Sequence, residues 1–374
     1  MPEFVHGIDL NRAFFREAVR PILEERFPDL AYAAALIGYG SDVLGYDTPR
    51  STDHEWGPRL LLFLSDDNPP ALGVAIEDAL RAELPVEFWG YPTSFGPRDE
   101  QGVRTPVEGA AGRVTHHVDI WTLRAFLRAQ LGIEPGQPLR ASDWLAFPEQ
   151  MLLQVTSGEV FHDGLGGLTA ERERLRYYQH DVWLYLMAAQ WMRLAQIEPF
   201  VGRAAEAGDD LGSRLVTATL ARDLMKLSFL HARQYAPYSK WFGVAFSRLP
   251  VAATLGPALQ RALAASDVQT REEALIAAYS IAAERHNALS VTPPLDPQTT
   301  QFYNRPYRVL AAGRFAEALA QVIEDEEVTA IVRAAGPIGA IDQISDNTDL
   351  LTFPPIFRRL RTLYEDTEAE RSDC

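Results

Sequence analysis

Two short apolar runs near the N-terminus set the first limit on the fold. Residues 32–37 read Tyr-Ala-Ala-Ala-Leu-Ile, and residues 60–64 read Leu-Leu-Leu-Phe-Leu. Continuous apolar runs of this length, bounded by turn residues, are typical of strands that are buried on both faces. The segment between the two runs is polar and contains a Gly-Ser turn. We therefore predict a sheet whose strands flank a polar site.

Strand and helix periodicity divide the chain into two parts. The first 125 residues mix the two patterns, whereas after about residue 140 nearly every segment has helical spacing and almost none alternates with period 2. We predict an α+β protein, with a mixed-sheet domain over residues 1–145 and an all-helical domain over residues 146–374. The segments predicted in the first domain are helices at residues 9–26 (with Asp9 as cap) and 69–84, strands at residues 86–89 and 114–122, and a strand beginning near Asp53.

Charge and composition exclude several classes of function. The formal net charge of −16 repels phosphate backbones, so nucleic-acid binding is not expected. No stretch of about 20 apolar residues is present to cross a membrane, and the N-terminus has no signal-peptide pattern. The single cysteine, Cys374, rules out a disulfide within the chain. These features predict a cytoplasmic protein.

The polar segment carries two carboxylates, Asp53 and Glu55, with one residue between them. On the predicted strand, both side chains point to the same face. Two ionised carboxylates about 4 Å apart repel by roughly 4 kcal/mol at an effective dielectric of 20. Either one is protonated or a cation lies between them. Because hard oxygen ligands select Mg²⁺ or Mn²⁺, we expect one of these ions.

A third carboxylate, Asp119, lies between apolar residues in the strand predicted at residues 114–122. If this strand neighbours the one near Asp53, three carboxylates converge in the arrangement that supports metal-assisted attack on phosphorus. His116 and His117 precede Asp119 and are adjacent, so they cannot both face one metal.

Groups that could hold phosphates occur in both parts of the chain. At Gly40 the backbone can approach a phosphate closely, and Ser41 offers an N–H and a hydroxyl. The 35 basic residues include only two lysines, Lys226 and Lys240. A lysine is a compact charge suited to a triphosphate, so both are candidates for binding the γ-phosphate. The alternatives are that the two lysines cluster by chance and that Lys240 is merely solvated beside a packed tryptophan.

The ordered set of these motifs resembles the nucleotidyltransferase superfamily, which includes DNA polymerase beta and the aminoglycoside nucleotidyltransferases. The stretch at residues 40–55 is similar to that of the kanamycin-type enzymes, which also carry a helical C-terminal domain. Over nearly its full length the chain resembles a group of uncharacterised bacterial proteins. The shared segments are Asp-His-Glu-Trp-Gly-Pro-Arg at residues 53–59, Tyr-Ala-Pro-Tyr-Ser-Lys-Trp at residues 235–241, and Ile-Asp-Gln at residues 341–343.

The resemblance implies a role for each candidate residue. Asp119 would be the third acidic position, either a metal ligand or the base that deprotonates the acceptor. A catalytic glutamate near the start of the helical part would correspond to Glu159 or Asp181. The metal ligands would be Asp53 and Glu55, and the residues holding the triphosphate would be Gly40 and Ser41.

The expected reaction transfers a nucleoside monophosphate from an NTP to a hydroxyl of a small-molecule acceptor and releases diphosphate. The partners are therefore an NTP as co-substrate and the acceptor, and the kanamycin-type relatives imply a possible homodimer. One alternative is a catalytically silent nucleotide-binding protein that senses or regulates. Another is nucleotidylation of a protein or of a tRNA end, although the acidic surface argues against tRNA.

Overall fold

The computed structural model describes residues 3–100, 102–108 and 112–365; Cys374 and the charged tail beyond residue 365 lie outside them. Helices and short strands confirm the predicted α+β class.

A π-helical turn (Phe15–Val19) joins the first two helices, and Pro49–Asp53 and Arg358–Arg361 are 3₁₀ turns. The strands are β1 (Tyr32–Leu36), β2 (Arg59–Leu64), β3 (Glu87–Phe88), β4 (Tyr91–Pro92), β5 (Ser94–Phe95), β6 (Pro106–Val107), β7 (His117–Thr122), β8 (Glu159–Asp163), β9 (Thr300–Gln301) and β10 (Arg308–Val309). The helices are α1 (Gly7–Phe14), α2 (Arg20–Arg26), α3 (Pro70–Glu83), α4 (Leu123–Leu131), α5 (Ala141–Ala146), α6 (Glu149–Thr156), α7 (Gly167–Arg174), α8 (His180–Ile197), α9 (Phe200–Glu206), α10 (Asp210–Ala232), α11 (Ser239–Ser247), α12 (Ala252–Ala264), α13 (Val268–Ala288), α14 (Gly313–Ala320), α15 (Glu326–Ala335), α16 (Ile341–Ile344), α17 (Thr348–Thr352), α18 (Pro354–Phe357) and α19 (Thr362–Glu365).

Four strands form one mixed sheet in the order β7–β2–β1–β8. β2 runs parallel to β7, and β1 is antiparallel to both β2 and β8. The two apolar runs predicted as strands are β1 and β2, and almost all their residues are buried, as expected for strands covered on both faces. The register sets Leu61 of β2 beside Asp119 of β7. The third predicted carboxylate therefore lies on a strand next to β2.

The described residues form two compact units. The first contains the residues up to Pro138 together with Met151–Arg176, and the second contains Leu139–Gln150 together with the residues from Tyr177 onward. The chain therefore leaves the first unit and returns to it before it completes the second. All four strands of the mixed sheet belong to the first unit.

The returning segment contains β8, a strand that sequence reasoning missed. The expectation that only helices follow residue 140 is wrong here, because Glu-Val-Phe-His-Asp pairs with β1 at the edge of the sheet. All five residues of β8 are half-buried, so no apolar alternation marks the strand. Gly158, with φ of 72°, forms the turn before β8, and a Cβ at this position would collide with the carbonyl oxygen of Leu36. A glycine is therefore needed for β8 to approach β1.

The segment that carries Asp53 and Glu55 is not a strand, contrary to the prediction. It contains the 3₁₀ turn Pro49–Asp53, then Glu55 with φ of 47°, and β2 begins only at Arg59. A strand residue does not adopt a positive φ. The physical reason is that Asp-His-Glu offers no apolar side chain to bury, while the proline fixes the start of a turn.

The predicted helix at residues 9–26 is present as α1, the π-helical turn and α2. His6, not Asp9, is the N-cap residue of α1. Asp9 lies in the first turn and forms an ion pair with Arg12 (2.6 Å). The apolar face of these helices is buried, and each large side chain removed from water contributes about 1.5–3 kcal/mol. The buried cluster includes Leu10, Phe14 and Val19 together with Leu60, Leu62, Ile76 and Leu80.

The second unit is built around helices that are buried on several sides. Trp183 and Trp191 of α8 are at most 1% exposed, and Trp191 stacks on Phe315 of α14 with ring centroids 4.4 Å apart. Strands β9 and β10 pair over two residues each and are a small exception to the predicted all-helical composition. None of the helices in the described ranges has both the length and the apolar character needed to cross a membrane.

Candidate active site

Two of the predicted acidic residues, Glu55 and Asp119, converge on one histidine. Glu55 Oε2 and Asp119 Oδ2 each lie 3.6 Å from Nε2 of His117. The side chain of His117 is 2% exposed, whereas those of Glu55 and Asp119 are 11% and 28% exposed. His117 and Asp119 are two residues apart on β7 and project from the same face. We refer to Glu55 and Asp119 as the acidic pair.

The backbone of Glu55 is held by hydrogen bonds to the loop that contains Arg104. The N–H of Glu55 donates to the carbonyl of Arg104 (2.8 Å), and the N–H of Arg104 donates to Glu55 Oε1 (2.7 Å). The hydroxyl of Tyr39 donates to Glu55 Oε2 (3.0 Å). A positive φ at a non-glycine residue costs about 1–3 kcal/mol, and these hydrogen bonds offset it. The carboxylate of Glu55 is therefore fixed in position.

A guanidinium and an imidazole keep Asp119 ionised. Arg98 places Nη1 at 3.3 Å from Glu55 Oε1 and Nη2 at 3.8 Å from Asp119 Oδ2. Burial acts to raise the pKa of Asp119. The contact with His117 and the charges of Arg104 and Arg98 outweigh burial, and the pKa of Asp119 falls below its ordinary value. The acidic pair thus faces one positive side chain that contacts both carboxylates, that of Arg98.

One buried polar atom of this site lacks a hydrogen-bond partner. Nδ1 of His117 is buried and, within the described chain, has no hydrogen-bond partner. No group of three His, Cys, Asp or Glu side chains in the described ranges is arranged to hold a metal ion. The acidic pair itself supplies two carboxylates, and carboxylate oxygens are the ligands that Mg²⁺ and Mn²⁺ prefer. The site is therefore compatible with a divalent ion that takes further ligands from a substrate.

The predicted Gly-Ser turn is built around an internal ion pair. Gly40 has φ of 133°, and a Cβ there would collide with the side chains of Asp42 and Arg59. Arg59 donates to both carboxylate oxygens of Asp42 (2.8 and 3.2 Å) and to the carbonyl of Tyr39 (2.9 Å). Ser41, next in the turn, is half-buried. Because Tyr39 also bonds Glu55, the turn is linked to the acidic pair.

The structure does not bring Asp53 into the contacts that join the acidic pair to His117. Asp53 ends the 3₁₀ turn, and its side chain is 56% exposed. Its carboxylate forms an ion pair with Nδ1 of His54 at 2.8 Å. Asp53 is therefore a surface residue two positions before Glu55 in the chain.

The two carboxylates proposed as the base each have partners of their own. Glu159 begins β8 and accepts two hydrogen bonds from Arg12, at 2.7 and 2.5 Å. Asp181 lies in the first turn of α8, where one oxygen accepts the N–H groups of Glu324 (2.7 Å) and Asp325 (2.5 Å). Glu159 belongs to the first unit and Asp181 to the second.

The two lysines proposed for the γ-phosphate both lie in the second unit. The half-buried Lys226 on α10 donates from Nζ to the carbonyl of Asp342. Lys240 at the start of α11 is exposed, with Nζ 4.9 Å from the ring centroid of Trp241. Lys226 is thus tied to α16, whereas Lys240 is a solvated charge over an aromatic ring.

A second polar cluster, which sequence reasoning did not identify, lies in the second unit. The N–H of Glu149, at the start of α6, donates to Asp342 Oδ2 (2.8 Å), and the carboxylate of Glu149 accepts the N–H of Ala236. Burial first and the Asp342 carboxylate second raise the pKa of Glu149 to about 8, against the opposing effects of the Ala236 N–H and Lys226. Glu149 therefore binds a proton in a pH range where an ordinary glutamate is ionised.

This raised pKa predicts a pH-dependent effect of Glu149→Gln on stability. The folded-state pKa of about 8 exceeds the ordinary value of 4.5. The stability due to protonated Glu149 is therefore full below about pH 4.5 and is lost as the pH rises through 8. Glutamine is neutral at every pH and keeps an acceptor for Ala236. We expect the melting temperature of the variant, measured relative to wild type, to rise between pH 5 and pH 8 and to level off above. A difference that is constant with pH would show that Glu149 titrates normally.

The residues around the acidic pair that sequence reasoning missed are Tyr39, Arg98, Arg104 and His117. One signal for His117 was available, because it lies two positions before Asp119 on a predicted strand and must share its face. The two arginines come from a segment rich in Gly, Pro and charge that has no periodicity. Their position depends on hydrogen bonds to Glu55, which no local pattern encodes.

Comparisons with known proteins give two similarities. Residues 144–242 match a domain of unknown function, DUF4037. The chain is also similar to the crystal structure of a nucleotidyltransferase-like protein from Exiguobacterium sibiricum 255-15, with 13% sequence identity and a TM-score of 0.33 over 82% of this chain and 89% of that one. A comparison with curated proteins finds no match. A TM-score this low carries no functional weight.

Proposed function

We propose that this protein is a metal-dependent nucleotidyltransferase. It would move a nucleoside monophosphate from an NTP to a hydroxyl of a small-molecule acceptor and release diphosphate. The observation that carries the proposal is the acidic pair, in which Glu55 Oε2 and Asp119 Oδ2 lie 3.6 Å from the same nitrogen of His117. The glycine turn at Gly40 and Ser41, linked to Glu55 through Tyr39, is the proposed place for the triphosphate.

The donor set supports Mg²⁺ or Mn²⁺ as the cofactor. Carboxylate oxygens are the ligands these ions prefer, and a site with few protein ligands leaves positions for phosphates. We propose Glu55, Asp119 and the exposed Asp53 as the ligands. When bound, the ion would stabilise negative charge on the transferred phosphoryl group and the leaving diphosphate.

The side chains of the site would act by holding charge in place. Tyr39 and Arg104 orient the carboxylate of Glu55, and the buried His117 orients Asp119. A carboxylate with a lowered pKa is a weak base, so Asp119 is better suited to hold a cation than to accept a proton. Glu159 and Asp181 remain the proposed bases.

The proposal is tested by replacing Asp53, whose side chain is 56% exposed, so we expect the fold to survive the substitution. We expect Asp53→Ala to abolish diphosphate release from ATP, CTP, GTP or UTP, measured with Mg²⁺ and an extract of the source cells as acceptor. The matched control is Asp67→Ala, an exposed aspartate of the same unit outside the site. If Asp53→Ala transferred labelled nucleotide at the parent rate, the assignment would be wrong.

One observation favours a second candidate function, a catalytically silent nucleotide-binding protein. The guanidinium of Arg98 already faces both members of the acidic pair, so the fold does not require a metal to offset the carboxylate repulsion. This alternative predicts calorimetric binding of an NTP with no diphosphate release against any class of acceptor. Diphosphate release by the wild-type protein would exclude it.

A further inference from the structure

Arg98 contacts both carboxylates of the acidic pair, but only at long distances. Its guanidinium spans the acidic pair, with Nη1 at 3.3 Å from Glu55 Oε1 and Nη2 at 3.8 Å from Asp119 Oδ2. Hydrogen bonds between charged groups are ordinarily 2.7–2.9 Å long. The side chain is 43% exposed, and Nη1 also donates to the carbonyl of Gly102 (2.6 Å). Arg98 therefore balances both carboxylates without being held tightly by either.

The position of Arg98 conflicts with that of the proposed metal ion. A divalent cation bound by the acidic pair would lie within a few ångströms of the guanidinium, and like charges at about 6 Å repel by several kcal/mol at an effective dielectric of 20. An incoming NTP brings a triphosphate to the same place. The planar fork of an arginine binds phosphate oxygens in pairs. If the guanidinium of Arg98 left the carboxylates, it could therefore form stronger hydrogen bonds with the triphosphate.

We propose that Arg98 exchanges partners during nucleotide binding, an inference that rests on the proposed function. Without nucleotide, Arg98 is the counter-ion of Glu55 and Asp119 and competes with the divalent cation. With nucleotide and metal present, Arg98 leaves the carboxylates and binds the triphosphate. The site therefore holds bare metal weakly and binds metal and NTP together. Arg104 has a different role, because its backbone N–H and carbonyl fix Glu55.

The exchange predicts effects of opposite sign in one variant. Arg98→Gln removes the competing charge, so we expect it to bind Mn²⁺ about tenfold more tightly than wild type, measured by electron paramagnetic resonance without nucleotide. The same variant loses a phosphate ligand. We expect it to bind α,β-methylene NTP analogues about tenfold more weakly, measured by calorimetry at saturating Mg²⁺. A residue that only supports the local structure would shift both affinities in the same direction.

Two further variants serve as controls. Arg98→Lys keeps the positive charge but loses the planar guanidinium with its paired N–H donors. The affinity of this variant for Mn²⁺ should therefore stay near that of wild type, while its binding of the NTP analogue should weaken severalfold. Arg113→Gln removes an exposed arginine of the same unit that pairs with Asp78, and it should change neither affinity.

The possible outcomes separate this inference from the proposed function. Equal Mn²⁺ affinity in wild type and Arg98→Gln would overturn the exchange and leave the metal site standing. Tighter Mn²⁺ binding without weaker analogue binding would overturn it as well. If neither wild type nor Arg98→Gln binds Mn²⁺, the metal-dependent function is itself wrong.

Discussion

Replacing Asp119 with asparagine is expected to lower the rate of the proposed nucleotidyl transfer by about 10³-fold, which corresponds to about 4 kcal/mol of transition-state stabilisation. The substitution keeps the size of the side chain and an oxygen that can contact His117. It removes the negative charge that the site is arranged to preserve, since the pKa of Asp119 is lowered by His117, Arg104 and Arg98. Diphosphate release at saturating NTP and Mg²⁺ measures the loss.

Two further measurements make the Asp119→Asn result specific. Mn²⁺ binding should weaken in parallel with turnover, whereas Asp78→Asn, at an exposed ion pair of the same unit, should alter neither. Because the pKa of Asp119 lies below 3.8, Asp119 should contribute no limb to the pH–rate profile above about pH 4. A variant that kept wild-type turnover would show that no charged ligand is needed at this position.

The largest expected loss of stability comes from Arg59→Met. Arg59 and Asp42 are 4% and 1% exposed, so the change leaves the Asp42 carboxylate buried without its counter-ion. Breaking a buried ion pair from one side typically costs about 3–5 kcal/mol. The turn at Gly40 packs against this pair, so the protection of β1 and β2 from hydrogen exchange should fall first.

A double variant distinguishes the buried charge from the loss of packing. In Asp42→Asn combined with Arg59→Met, no buried charge is left unpaired, so part of the lost stability should return. Urea unfolding of the wild type, the two single variants and the double variant gives the coupling free energy. A double variant no more stable than Arg59→Met would mean that packing, and not charge, dominates at this site.

The parts of the fold that sequence reasoning predicted are those with a continuous physical signal. β1 and β2 are unbroken apolar runs, and α8 and α10 keep helical spacing over their length. β8 was missed because its five residues are half-buried at a sheet edge, where polar and apolar side chains are equally acceptable. Asp53 and Glu55 were placed on a strand because their spacing of two fits the alternation of side chains along a strand. That spacing does not show whether the segment has apolar side chains to bury, and this one has none.

In the candidate site, too, only the residues with a local sequence signal were predicted. Asp119 and β7 follow from local pattern, whereas the sequence left open which strand lies beside β7, and only the structure shows that it is β2. The positions of Arg98 and Arg104 depend on a loop that folds back onto Glu55, and such a contact between distant residues leaves no trace in the local sequence. The pKa of Glu149 is raised by burial and then by Asp342, which is far away in the chain, so no local pattern predicts it. The pKa of Asp119 is lowered first by His117, only two positions before it, and then by the more distant Arg104 and Arg98.

The return of the chain to supply β8 has a consequence for any attempt to isolate the two halves. A fragment that stops at residue 145 would lack β8, and the backbone N–H and C=O groups of β1 would then form an open rim able to recruit strands from other molecules. No single cut in the chain therefore yields both units intact. To make the first unit alone, Pro138 would have to be joined directly to Met151, and Leu139–Gln150 would have to be supplied to the second unit.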